Sequence, residues 1–174
     1  MRLRLSPPRA AVSVLFFANG LMIGSWAPKL PALMARLGIG EALAGLVVLC
    51  LGLGSLLVMP VFGAMVARRG SAAAVGLAGW LAAPTLILIT LAPNLALVAL
   101  AVGLFGGTLG GMDVAMNANA VAVERAWRRA IMSSCHGFWS LGGVLGAGIG
   151  GVVLARLGEA AHAVLATLVF IAVL

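Results

Sequence analysis

The chain has 174 residues, 63% of them hydrophobic and only 9% charged, with a formal net charge of +7 and a mean hydropathy of +1.20. This composition excludes an ordinary soluble domain wrapped around one core and describes a chain dissolved in lipid. The positive charge does not point to nucleic acid, because the basic residues fall in small clusters between apolar runs and form no stripe or tail.

Six apolar spans follow in chain order: Ala10–Ala27, Ala42–Ala67, Ala72–Leu91, Leu95–Val123, Ile131–Ala155 and Ala160–Leu174. The first five reach the roughly 20 residues that cross the hydrocarbon. The sixth has 15 residues, and the sequence stops inside it without a polar flank. The expected fold is therefore all-α, a polytopic membrane bundle of six helices with the sixth truncated. Met1–Ala27 has the arginines and apolar run of a secretory leader, but its best small-x-small site, Ser25-Trp26-Ala27, is followed by Pro28. That suits cleavage poorly, so an uncleaved first helix is expected.

Lys and Arg bias gives an expected orientation. With the N-terminus cytoplasmic, the inner segments hold Arg2, Arg4, Arg9, Arg68, Arg69, Arg125, Arg128 and Arg129, against Lys29, Arg36 and Arg156 outside. Such a positive-inside pattern places the chain in a cell inner membrane. Helical rise puts Cys50 roughly 25 Å and Cys135 roughly 9 Å from the cytoplasmic ends of their helices. The two thiols are thus too far apart to bridge and are expected to be free.

Asp113 lies inside the apolar stretch 95–123 and cannot be moved into water by any choice of helix ends. A charged side chain at the bilayer centre costs about 2.5–3.5 kcal/mol on insertion scales, so an intramembrane acid marks a functional site. Asp113 and Asn117 share a helix face with Gly106 and Gly110, and Glu124 returns to it three turns later. Asn119 points about 200° away from Asn117. Glu124, beside Arg125 and Arg128, reads as a solvated loop pair. Counting rise from a turn near Trp127 sets Asn117 level with His136, and Asp113 level with Ser140. If the fourth and fifth helices touch, those four residues form one polar cluster. Asp113 is then the candidate proton-coupling group, and His136 a relay or a hydrogen-bonding contact. Trp139, one turn beyond His136, could stack on a ring. Asn19 in the first helix could line the path or simply pack against a glycine.

Between the second and third spans, Gly63-Ala64-Met65-Val66-Ala67-Arg68-Arg69-Gly70-Ser71 resembles the loop signature of the major facilitator superfamily, Gly-x-x-x-Asp-Arg-x-Gly followed by two basic residues. Gly63, Arg68 and Gly70 match, whereas Ala67 replaces the acid and Ser71-Ala72 the basic pair. In that family the charges latch one conformation, so Gly63, Arg68, Arg69 and Gly70 are the candidate conformational loop. Physically, Gly70 supplies a tight turn and the arginines anchor at an anionic face. Gly110-Gly111-Met112-Asp113-Val114-Ala115-Met116-Asn117-Ala118-Asn119 and Ser133-Ser134-Cys135-His136-Gly137-Phe138-Trp139-Ser140-Leu141-Gly142-Gly143 are similar to a bacterial branch near the fucose and other sugar permeases.

The resemblance spans the whole chain but corresponds to the first six of twelve helices. It implies an N-terminal half built of two inverted repeats, completed by a missing C-terminal half or a second copy. The implied activity is proton-coupled transport by alternating access, with protons and a sugar-like small molecule as partners alongside the lipid bilayer. Asp113 would be the coupling acid and Asn117, His136, Trp139 and Asn19 substrate contacts. Those permeases also carry an acid on helix one, which the 10–27 span lacks. Drug or metabolite efflux, or a non-transporting channel or fragment, are the alternatives.

Glycine spacing in the fifth span supports two readings. Gly137, Gly146 and Gly150 open the antiporter signature Gly-x8-Gly-x3-Gly, but Gly151 stands where its proline should be. Gly142, Gly146 and Gly150 repeat every four residues, which is a helix-packing seam. An intramembrane serine protease would need Ser140 and His162 as nucleophile and base, yet Ser140 is followed by Leu141 and no oxyanion hole is visible. A channel would need a ring of charge that one internal acid does not give. His136 and His162 lack metal-ligand spacing, so no metal, cofactor or enzyme activity is expected.

Overall fold

The computed structural model describes residues 7–174, so Arg2 and Arg4 of the N-terminal basic cluster lie outside it. Its regular structure is entirely helical: α1 (Pro7–Trp26), α2 (Lys29–Leu37), α3 (Glu41–Arg69), α4 (Ser71–Ala82), α5 (Thr85–Leu91), α6 (Leu95–Trp127) and α7 (Met132–Val173). Five stretches are long and apolar enough to cross a membrane, Pro8–Leu37, Glu41–Arg69, Ser71–Leu91, Leu95–Trp127 and Met132–Val173. The six expected spans thus appear as five. The last two are limbs of α7, bent at Gly158, whose φ of 83° and ψ of 175° leave the helical region.

Proline explains two further breaks. A ring nitrogen cannot donate into the helix ladder, and the ring crowds the preceding turn. Accordingly α1 stops before Ala27-Pro28, and the third span divides into α4 and α5 at Ala83-Pro84. The carbonyls around Pro84 do not go without partners, as lipid requires. Thr85 Oγ1 donates to the Ala82 carbonyl (2.5 Å), and Thr167 Oγ1, from the second limb of α7, donates to that of Ala83 (3.0 Å).

Two helix pairs dominate the packing, α1 with α7 and α3 with α6. Both run parallel, and both close on glycine. A Cβ added at Gly20, Gly24, Gly142 or Gly146 would strike backbone across the α1/α7 contact. Gly54 and Gly106 are in the same position across α3/α6. Small residues let backbones meet where lipid gives apolar side chains no reason to prefer each other. Gly142 and Gly146 thus stand directly against the α1 backbone. Gly150 also faces α1, a Cβ there standing 3.7 Å from Ser25 Cα, but its nearest neighbour would be His162 Nε2 at 2.8 Å, so its missing side chain also makes room for an imidazole.

The topology gathers Arg9, Arg68, Arg69, Arg125, Arg128 and Arg129 at one end of the bundle, with Lys29, Arg36 and Arg156 at the other. At the arginine-rich end Gly70 joins α3 to α4 with a φ of 84°, its N–H donating to the Val66 carbonyl (3.0 Å). This is the tight turn that the loop needs, and glycine adopts it without a Cβ penalty. Arg68 and Arg69 are exposed beside it, and open space surrounds the α-carbon of Gly63. The flanks of α3 and α7 present Leu56, Leu57, Val61, Val144, Ile149 and Val152 outward. Trp80 also faces outward, whereas Trp26 is buried against Phe105 (ring centroids 6.1 Å apart).

Candidate functional site

Helix α6 carries Asp113 near its middle, half-buried, on the wall of a cavity of about 230 Å³. The same cavity is lined by Asn19 and Ile23 of α1, Leu51, Ser55 and Met59 of α3, and Trp139 of α7. Glycine shapes this wall: at Gly110, one turn before Asp113, an added Cβ would collide with the Ser55 side chain. The apolar helix thus brings one carboxylate, one hydroxyl and one indole around a common space.

Asp113 is held from its own helix. Asn117 Nδ2 donates to the Asp113 carbonyl (2.8 Å) and to its carboxylate Oδ1 (3.2 Å). This is the contact that residues four apart on one face can make. Asn117 does not line the cavity. In this structure its amide engages the acid.

Asn19 is the centre of a second arrangement. Its Oδ1 accepts from Trp139 Nε1 (2.9 Å), and its Nδ2 donates to the Leu109 carbonyl of α6 (3.0 Å). The residue is buried, and a buried amide needs partners at both ends. One side chain therefore ties α1, α6 and α7 at the depth of the cavity. Trp139 consequently offers the cavity its ring and not its N–H. The bland alternative, Asn19 merely packed against a glycine, does not describe this bridge.

His136 and Ser140 lie outside the lining of this cavity. His136 is exposed and meets Phe16 edge-on, ring centroids 5.2 Å apart; neither it nor Ser140 lines the cavity. The cluster expected from Asp113, Asn117, His136 and Ser140 does not line one cavity: Asp113 and Asn117 are hydrogen-bonded, and of the four only Asp113 lines the space. Its premise was contact between the fourth and fifth helices, but α6 and α7 touch little, and α1 packs against both. Sequence neighbours are only usually spatial neighbours.

Three polar features escape the reading of the sequence. Arg9, taken as an orientation signal, is buried and donates to Ser13 Oγ (2.6 Å), Cys135 Sγ (3.2 Å) and Ser134 Oγ (2.5 Å). The spacing of Arg9 and Ser13, four residues apart, was the available signal. Glu124, taken as a solvated partner of arginines, accepts instead from the Ile131 and Met132 N–H groups (2.6 and 2.9 Å). Its carboxylate serves the N-terminus of α7, where helix N–H groups lack partners. At the opposite end, Lys29 is buried with Nζ 3.8 Å from Glu159 Oε2, and Arg36 Nε lies 3.6 Å from Glu159 Oε1. Arg36 also donates to the Ala92 and Ile89 carbonyls (2.7 and 3.1 Å). Cys50 and Cys135 are free, as their separation requires.

Comparison with known sequences bears on what these groups serve. The chain is 45% identical over 133 residues, 76% of its length, to an uncharacterised MFS-type transporter of Yersinia pestis, of which it covers 35%. An uncharacterised transporter of Sinorhizobium fredii is 42% identical over 83% of the chain, with 38% of that protein covered. The membrane protein MosC of Rhizobium meliloti is 34% identical over 82% of the chain, with 35% covered. The chain therefore spans about a third of the length of the curated relatives it matches. No protein-family model matches it, and no solved structure does. The chain is thus similar, over most of its own length, to one transporter of the major facilitator type and to a second transporter, and the likeness does not single out the sugar-permease branch.

Proposed function

We propose that this chain is the N-terminal six-helix part of a secondary transporter that moves a small solute by alternating access, with Asp113 as its proton-responsive group. The observation that carries the proposal is the cavity itself. One intramembrane carboxylate, steadied by Asn117, faces Ser55 and the indole of Trp139 on a wall that Asn19 fixes. An acid in such a place is costly unless it serves a path for solute or protons. Its similarity to an MFS-type transporter and to a second transporter by name supports membrane transport as the activity.

Hydrogen-bonding groups and an indole face on one cavity suit a polyhydroxylated solute, which favours uptake of a sugar-like molecule over efflux of a cationic drug. The remaining wall would come from a C-terminal half or from a second copy. The positive-inside bias supports an inner-membrane protein with a cytoplasmic N-terminus.

Proton-driven uptake in vesicles by the full-length transporter tests this reading, with a panel of sugars and cationic drugs as solutes. Asp113→Asn is expected to abolish pH-driven accumulation while counterflow exchange persists. Unchanged accumulation would make Asp113 a packing residue and sink the proposal.

A further inference from the structure

A second cavity, of about 160 Å³, opens between α1 and the two limbs of α7. Its walls are apolar, among them Leu145, Ile149, Leu165 and Val169, and its polar members are Ser25 and His162. His162 is only 1% exposed, and among the described residues neither of its ring nitrogens has a hydrogen-bond partner. A buried imidazole without partners is unfavourable, so the site calls for a group that can engage it.

The charges nearby indicate which group. Lys29 and Arg36 both face Glu159, the residue three before His162 on α7. Two cations share one carboxylate; the side chains of Arg36 and Glu159 are 29% and 22% exposed, whereas Lys29 is 1% exposed, so the buried charge of the cluster is that of Lys29. A proton on His162 would add a third cation and worsen the imbalance. An anion corrects it, and also accepts from the imidazole N–H.

We propose that this cavity binds a single-chain carboxylate, a fatty-acid-like anion whose head meets His162 near Lys29 and whose tail lies along the apolar wall. Ile149, Leu165 and Val169 are 60%, 43% and 47% exposed, which marks the cavity's open side as apolar and suited to an acyl chain. A two-tailed phospholipid fits poorly, because among the described residues Ser25 and His162 are the only polar side chains lining the site and leave a bulky phosphodiester short of donors. The inference is independent of transport by the Asp113 cavity.

Photo-crosslinking of the full chain in nanodiscs with a diazirine-bearing dodecanoic acid tests it, with dodecanoate, dodecanol and lysophosphatidylcholine as competitors. Labelling is expected on α1 or α7 around this cavity, with dodecanoate displacing the probe at least about tenfold more effectively than dodecanol. His162→Leu and Lys29→Gln should each weaken labelling by a similar factor. His162→Gln, which keeps a buried hydrogen-bonding side chain, should retain part of it. Equal displacement by dodecanol, stronger displacement by lysophosphatidylcholine, or labelling elsewhere overturns the proposal. The competition arms need only the unaltered protein, so they stand even where a variant fails to fold.

Discussion

The α1/α7 and α3/α6 seams meet the same packing demand with different amounts of polar help. Each is a parallel pair in which glycine brings two backbones together. The α1/α7 pair is also fastened by side chains, through Arg9 to Ser134 and Cys135 at one end and through Asn19 to Trp139 at mid-span. Among the described residues no side-chain hydrogen bond crosses from α3 to α6, whose contact rests on shape alone. The central cavity lies where the two pairs meet. Its fastened wall supplies Asn19 and Trp139, already engaged with each other, while the unfastened pair supplies Asp113 and Ser55. Close fit alone suffices to hold two helices in lipid, and polar contacts then fix their register.

If shape alone holds α3 to α6, bulk at its glycines should be the most damaging change available. Gly106→Leu is expected to prevent folding or to destabilise by about 3 kcal/mol or more, because the obstruction is the Leu51 backbone and cannot rotate aside. Gly24→Leu, facing the backbone of Gly143, should behave alike. Gly148→Leu, with open space around it, should change stability by no more than about 0.5 kcal/mol. Thermal unfolding in detergent compares the three, and a Gly106→Leu midpoint as high as that of Gly148→Leu would mean that α3/α6 is no seam.

The polar half of the comparison is sharpened by double-mutant cycles. Asn19→Ala combined with Trp139→Phe should yield a coupling of about 0.6 kcal/mol, the average for interhelical hydrogen bonds in membranes, and no more than about 1.7. Ser55→Ala combined with Asp113→Asn should yield a coupling near zero, because the two groups share a cavity without a bond. A Ser55/Asp113 coupling as large as that of Asn19/Trp139 would remove the distinction between fastened and unfastened pairs.

Much of this was legible in the sequence, and the failures have physical causes. Apolar length gave the spans, and glycine spacing gave Gly142 and Gly146, because both signals are local. Gly150 satisfied the same spacing but also faces His162, since periodicity names a helix face and not its neighbour. Asp113 was legible because lipid makes an acid conspicuous, and Asn117 because helical spacing ties it to Asp113. Which helix lies beside which was not legible. Depth alone matched Asp113 to Ser140 across helices that scarcely meet; Asn19 and Trp139 were named as contacts but not as partners of each other, and Ser55 was not named. Arg9, Lys29 and Glu159 were hidden for a related reason: a charge near the end of an apolar span reads as solvated until a partner on a distant segment buries it.

The smallest expected effect concerns the turn that joins the two pairs. Helix α6 belongs to one pair and α7 to the other, and the two touch little, so the connection between them must be set locally. Glu124 sets it by accepting from the Ile131 and Met132 N–H groups across the turn. Glu124→Ala should leave the thermal midpoint close to that of the unaltered chain, since both glycine seams remain, yet hydrogen exchange at the Ile131 and Met132 amides should accelerate. Glu124→Gln, which can still accept through its amide oxygen, should fall between. Exchange unaffected by Glu124→Ala would mean that the start of α7 is held by the α1 seam and Arg9 alone, with the turn following passively.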